Sequence, residues 1–232
     1  MQQRAQESIS VWKENEKPAP AFSPLGEHVS ADVCIVGAGI AGLTTGYLLA
    51  KEGKSVVIVD AWGLAAGETG RTTAHLTAVL DDRFFTLASL FGDDGVKLAA
   101  ESHMSAINRI EAIIREEGIA CDFERVDGYL VALSDEQRKD FEKEQIAAKE
   151  AGFADMTVHT HLPLSGIKMS APTLHFPQQA TFHILNYKAA NRLTSKPTMG
   201  LRSPQSTSLS PPTRPSTIGS RCTPSRRPIA PM

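Results

Sequence analysis

The sequence predicts an α/β fold that opens with a strand–helix–strand unit whose two strands are parallel. Three observations predict it. Residues 32–37 (DVCIVG) are a nearly continuous apolar run ending in Gly, the pattern of a strand buried on both faces. Residues 40–53 (IAGLTTGYLLAKEG) follow with helical spacing: Leu43, Tyr47, Leu48 and Ala50 share a face, and Gly53 stops the helix. Residues 55–60 (SVVIVD) are a second buried run. A crossover this short is right-handed and makes the strands parallel neighbours.

The remaining elements follow in chain order. Residues 1–30 read as an irregular lead-in with Pro18, Pro20 and Pro24. The charged, polar N-terminus has no apolar core of a secretory signal, and no apolar stretch is long enough to span a bilayer. A cytoplasmic protein without a membrane partner is expected. Residues 61–80 are a Gly- and Thr-rich loop. Two helices are expected after it, at 82–91 and 93–117, the second carrying Val96, Leu98, Ala99, Ala106, Ile107, Ile110, Ile113 and Ile114 on its apolar positions. CDFERVDGYLVAL reads as a hairpin turning at Asp127-Gly128. Ser134 and Gln137 form a capping box for a helix that Gly152 ends. MTVHT reads as a strand, and residues 160–187, with Pro163, Pro172 and Pro177, as irregular.

The composition breaks after Tyr187. Residues 188–232 hold 8 of the 14 prolines with 8 Ser, 6 Thr and 6 Arg. The charge divides in the same region: all 26 acidic residues lie at or before Asp155, beside 15 basic ones, and 9 basic residues with no acid follow. A segment of this kind cannot bury enough apolar surface to offset its ordering entropy, so a disordered tail is expected. The abrupt change fits an out-of-frame reading better than a genuine basic tail. A nucleic-acid partner is not expected, because the tail lacks interleaved aromatic residues. The expected organisation is a lead-in over 1–30, a folded region over 31–187 and a tail over 188–232.

The cysteines Cys34, Cys121 and Cys222 form neither a disulfide framework nor a Cys-x-x-Cys pair, and Cys34, inside an apolar run, is expected in the core. His159 and His161 could hold a metal only with a third ligand, and none is evident, so they read as a strand or loop pair.

The motif that carries chemistry is Gly37-Ala-Gly39-Ile40-Ala41-Gly42, with Gly46 beyond it. It follows a strand and opens a helix. Gly37 permits the tight turn, Gly39 the approach of a pyrophosphate, and Gly42 close packing of the helix on the sheet. The helix N-terminus offers unpaired N–H groups and a positive dipole end. Asp60 ends the second strand, at the position where a carboxylate accepts hydrogen bonds from adenosine ribose hydroxyls. Its charge disfavours a 2′-phosphate and hence NADP. The unit is therefore a Rossmann-like dinucleotide cradle, with FAD or NAD as its ligand.

The stretch VCIVGAGIAGLTTGYLLAKEGKSVVIVDA resembles the N-terminus of FAD-dependent oxidoreductases of the D-amino-acid oxidase and glycine oxidase type. The likeness continues in GETGRTTAHLTAVLDDRFF, in AAESHMSAINRIEAIIREEGIACDFERVDGYL and in FPQQATFH, and covers about Trp12 to Tyr187. The branch it most resembles often carries a C-terminal Rieske domain. The resemblance implies FAD as cofactor, a FAD-binding βαβ domain followed by the start of a substrate domain, and oxidation at the C–N bond of an amine or amino acid. It implies that Ala61, Thr69, Gly70, Arg71, Thr72, Thr73 and His75 line the cofactor. Some relatives attach flavin covalently through a histidine near this loop. His75 lies further from the preceding Gly than in that pattern, so a histidine merely packed near the cofactor, or in the core, fits better. The resemblance also implies a second half that this sequence does not match, including the Cys and His ligands of a Rieske centre. Two other readings stay open: a non-catalytic remnant of such an enzyme, and an NAD-dependent dehydrogenase. The TGRTT loop and the long helical insertion after it speak against the latter.

Overall fold

The structure, a computed structural model, describes residues 10–13, 26, 28–190 and 200–201. The βαβ unit forms as expected. Strand β1 (Val33–Val36) pairs in parallel with β2 (Val56–Asp60), Val33 opposite Val56 and Val36 opposite Val59, and α1 (Ile40–Lys51) is the crossover. The helix ends at the expected place, where the N–H groups of Gly53 and Lys54 bond the carbonyls of Ala50 and Leu49. Leu43, Ile58, Val56 and Ala38 form the core between helix and sheet, and Ile35 packs against it. Ala50, expected on the buried face, is exposed. So is Cys34, expected in the core, and Val36 beside it is 86 % exposed. The reason is the period of the strand. Alternate residues face opposite ways, α1 covers the face of Ile35, and Cys34 and Val36 point to the other.

After β2 a 3-10 turn, Glu68–Arg71, leads to a two-residue strand β3 (His75–Leu76). Helix α2 (Phe84–Glu116) follows and is broken at Gly92, whose backbone (φ +71°, ψ 174°) is not helical, so the two expected helices are present end to end. Strand β4 (Glu124–Val131) is one continuous strand, not the hairpin expected at Asp127-Gly128. Asp127 lies instead at a register shift against β6: Val126 faces Gln179, Gly128 faces Phe176, and Pro177 and Gln178 oppose the single Asp127. Gln178 takes a φ of +64° there. A two-against-one bulge replaces the turn. Helix α3 (Asp135–Glu150) carries the expected capping box: Ser134 Oγ accepts from the Gln137 N–H, and Gln137 Oε1 from the Ser134 N–H.

Strand β5 (Thr157–His159) is the short strand expected. The irregular segment expected over 160–187 contains the central strand of the second sheet. Strand β6 (Thr173–Thr181) pairs antiparallel with β4 along one edge and with β3 and β5 along the other. Its prolines mislead. Pro172 precedes the strand, and Pro177 sits in the bulge, where no ladder N–H is required. Leu174, Phe176, Phe84, Val96 and Ala148 form the core between this sheet and helices α2 and α3. Helix α4 (Ile184–Ala190) continues past Tyr187. Strand β7 (Gly200–Leu201) adds in parallel to β2, so the first sheet runs β1-β2-β7. That strand was not expected within 188–232; the rest of that stretch beyond Ala190 lies outside the described residues.

One buried carboxylate ties the layers together. Glu144 of α3 is 2 % exposed, and its Oε2 accepts from the Phe85 N–H in the first turn of α2 (3.2 Å). It supplies the cap that Arg83, at the N-cap with φ +65°, does not. Burial pushes the Glu144 carboxyl above its ordinary value of 4.5, against the lowering effect of the Phe84 and Phe85 N–H groups and the Arg83 charge. A carboxyl held this way binds its proton more tightly folded than unfolded. Its stabilising contribution is full below the unfolded value and is lost as pH rises through the raised folded one. Glu144→Gln keeps an acceptor for Phe85. Its urea midpoint is expected to match the parent near about pH 4 and to exceed it increasingly toward neutrality; parallel curves would refute this account of Glu144.

Candidate functional site

The turn between β1 and α1 is built from glycines under two constraints. Gly37 has φ +108°, a region side chains rarely adopt, and its N–H bonds the Val59 carbonyl (2.8 Å). A Cβ on Gly42 would stand 2.0 Å from the Gly37 carbonyl oxygen. The first requirement at Gly42 is therefore room for the turn itself, with Ile35 of the sheet at 3.3 Å behind it. The expected helix-to-sheet contact falls chiefly on Gly46, where a Cβ would meet Ile58 Cδ1 at 2.8 Å. A Cβ on Gly39 would come within 3.0 Å of Thr69 Oγ1.

The donors at this turn divide into bound and open. The Ala38 N–H donates to Asp60 Oδ2 (2.7 Å), the Ile40 N–H to Thr69 Oγ1 (3.1 Å), and the Leu43 N–H starts the helix on the Gly39 carbonyl (3.0 Å). The N–H groups of Gly39, Ala41 and Gly42 have no protein acceptor among the described residues. Ala41 is exposed. A helix N-terminus with open N–H groups and no side chain over them is an anion cradle.

Asp60 holds the cradle's floor. Besides Ala38, its Oδ1 accepts from the N–H groups of Trp62 (2.7 Å) and Gly63 (2.8 Å). Burial works against its ionisation, but the three N–H donors outweigh burial and hold the carboxyl below its ordinary value of 3.8. A carboxylate offers about four acceptor sites, so one remains beyond these three. Asp60 thus shapes the turn as well as presenting a charge, a role its sequence position does not reveal. Ala61, next to it, is exposed.

The loop after β2 returns to the same turn. Thr69 reaches it directly through the Ile40 N–H. Gly70 is buried, and a Cβ there would stand 2.6 Å from the Ala65 carbonyl oxygen. Arg71, Thr72 and Thr73 are exposed. Thr72 bonds twice: its Oγ1 accepts from the Ala74 N–H (3.2 Å) and its carbonyl from the Trp12 indole N–H (2.7 Å). His75 pairs through its backbone in β3, opposite Thr181, with its side chain exposed. Gly37, Gly39, Ile40, Gly42, Asp60 and Thr69 therefore meet at one turn, while Arg71, Thr73 and His75 extend along the loop without reaching it. His159 and His161 lie apart from the turn in sequence and bonding: His159 Nε2 pairs with Thr157 Oγ1 (3.0 Å) and His161 Nδ1 with Thr160 Oγ1 (3.4 Å). No group of three or more candidate metal ligands occurs among the described residues.

Comparison with known proteins gives this geometry a family. The model of the FAD-dependent oxidoreductase family DAO matches residues 32–193. The chain belongs to that family. It is 32 % identical over 187 residues to a Bacillus subtilis protein, YhfW, named as a Rieske 2Fe-2S iron–sulfur protein; the match covers 80 % of this chain and 36 % of that one. It is 30 % identical over 129 residues to the gamma-glutamylputrescine oxidoreductase of Escherichia coli, covering 56 % of this chain and 30 % of that one. Among solved structures, glycine oxidase from Geobacillus kaustophilus superimposes with a TM-score of 0.55 at 19 % identity, over 69 % of this chain and 43 % of that one. L-amino acid deaminase from Proteus vulgaris gives 0.56 at 18 %, over 79 % and 47 %. The chain spans about a third of the curated relatives' length and under half of the solved structures. The family is FAD-dependent, and that decides between the two dinucleotides the motif leaves open. The match begins at Asp32, so the family model does not cover Trp12.

The cradle makes a stability prediction that needs no ligand. Asp60→Ala removes the acceptor shared by the Ala38, Trp62 and Gly63 N–H groups and is expected to cost on the order of 3 kcal/mol in urea unfolding. Asp60→Asn keeps an acceptor for Trp62 and Gly63 but turns an N–H₂ toward Ala38, so an intermediate loss is expected. The Asp60 contribution is present above 3.8 and lost as pH falls through its lowered folded value. The gap between parent and Asp60→Ala should therefore shrink in acid, and a pH-independent gap would contradict this role.

Proposed function

We propose that the chain binds FAD with the pyrophosphate on the open N–H groups of Gly39, Ala41 and Gly42, and serves the oxidation of an amine or amino acid. The carrying observation is that set of open donors between two fixed walls, Asp60 and Thr69. Gly37, Ile40 and Gly42 shape the turn, and the free acceptor site of Asp60 suits an adenosine ribose hydroxyl. The fit is chemical: N–H donors and a helix dipole for phosphate, and no Cβ over the Gly39 backbone. Ala61, Gly70, Arg71, Thr72, Thr73 and His75 line the path of the rest of the cofactor. FAD, when bound, supplies a two-electron, hydride-accepting ring. The chain's own part is to hold and orient it.

The substrate class is supported by relatives whose names state glycine, L-amino acids, L-proline and gamma-glutamylputrescine. A cytoplasmic location belongs to the same reading; Cys34, which forms no disulfide among the described residues, supports it. No described helix is long and apolar enough to cross a membrane. Neither a membrane nor a nucleic acid is proposed as a partner.

The purified chain is expected to carry the two visible absorption bands of oxidised flavin. Gly39→Val, which fills the space before Thr69, should weaken FAD binding at least tenfold, about 1.4 kcal/mol, without abolishing the fold. A folded parent that binds FAD no better than Gly39→Val would sink the reading. Acid denaturation should leave the flavin in the supernatant, because no attachment through His75 is proposed; colour in the pellet would reverse that. Anaerobic bleaching of the visible band by amines or amino acids, and not by 2-hydroxy acids, is the expected substrate result.

A further inference from the structure

The lead-in places one residue on the cofactor loop. Trp12 sits in a 3-10 turn, Val11–Lys13, closed by the Lys13 N–H on the Ser10 carbonyl (3.0 Å) and by Ser10 Oγ accepting from the Trp12 N–H (3.3 Å). Its indole Nε1–H donates to the Thr72 carbonyl at 2.7 Å, across sixty residues of sequence. The ring meets the imidazole of His183 edge-on, with centroids 5.2 Å apart at 69°. His183 is itself fixed: its N–H donates to the Cys121 carbonyl (2.6 Å), its carbonyl accepts from Tyr187, and its Nδ1 accepts from the Asn186 N–H (3.2 Å). Trp12 also packs on the core formed by Tyr47, Ala65, Ala74, Ile113, Leu185 and Tyr187.

We propose that Trp12 is a positioning residue that clamps the loop of residues 69–73 in the form that receives the cofactor; this rests on the FAD reading above. The loop needs such a clamp. Arg71, Thr72 and Thr73 are exposed, and besides the indole bond Thr72 makes a local one, its Oγ1 accepting from the Ala74 N–H. The indole bond is the long-range tie on the exposed half of the loop, and it ends on a carbonyl, so it fixes backbone whatever the loop's side chains do. Thr69, three residues back, bonds the Ile40 N–H at the cradle, so the loop is held at both ends: Thr69 on the turn and Thr72 on the lead-in. A loop fixed before the ligand arrives spares the ordering cost at binding.

The test uses Trp12→Phe, which keeps an aromatic ring for the edge-on contact with His183 and removes the N–H. Val11→Ala, an exposed neighbour, is the control. Two readouts are taken on the whole chain. The first needs no flavin: trypsin cleavage after Arg71 in the apoprotein, followed by mass spectrometry. Cleavage there is expected to be several-fold faster in Trp12→Phe and unchanged in Val11→Ala. The second is FAD titration with the visible spectrum of the bound flavin. A loss of about tenfold in affinity, which is one hydrogen bond's worth, and a shifted flavin band are expected while the thermal melt moves little. Equal cleavage rates overturn the clamp. Faster cleavage with unchanged affinity and spectrum also overturns it, since the loop would then be held without consequence for the cofactor. A parent that binds no FAD defeats the functional reading instead, and the claim about the cofactor falls with it, while the cleavage comparison still decides whether Trp12 holds the loop.

Discussion

A carboxylate at the end of β2 holds the glycine-rich turn at the end of β1. The Asp60 oxygens gather the N–H groups of Ala38, Trp62 and Gly63, so both chain reversals at the C-terminal edge of the parallel pair hang on one side chain. With Ala38 fixed, Gly37 takes its left-handed conformation, Gly42 fits under the Gly37 carbonyl, and α1 starts with three donors pointing outward. The lowered acidity of Asp60 and the openness of the cradle thus share one cause: backbone donors arranged around negative charge.

The second sheet depends on a different device. Its middle strand β6 pairs with β4 along nearly its whole length and with β5 and β3 at its two ends, yet contains a proline. The bulge at Asp127 takes up Pro177 and Gln178 together, and the ladder resumes on both sides with Phe176 and Leu174 in the core. Glu144 then joins α3 to the first turn of α2 over that same core. The Phe85 N–H meets one oxygen of this buried carboxyl, the other has no partner among the described residues, and its raised proton affinity is the cost that remains.

The loop after β2 is where α1 and the lead-in converge. Thr69 bonds α1, Gly70 is buried against Ala65, and Thr72 accepts from Trp12, whose ring leans on His183 at the start of α4. Two segments far from the loop in sequence, α1 and the lead-in, therefore bond it at Thr69 and Thr72.

What the sequence determined by itself was local. The βαβ unit, the glycine turn, the Ser134 capping box, the break at Gly92 and the helices around it follow from periodicity and turn chemistry acting over a few residues. The family, too, is legible in those motifs. Only the tertiary structure decided the rest, because each of these features depends on a partner distant in sequence. Asp127-Gly128 became a bulge because β6 runs the full length of β4, and Pro177 was tolerated because it falls opposite that bulge. Cys34 is exposed because α1 covers one face of β1 and no described residue covers the other. Asp60, Thr69, Trp12 and Glu144 took their roles from backbone donors and carbonyls that lie from two to sixty residues away in the chain, and no spacing rule reports a hydrogen bond that only folding brings within reach.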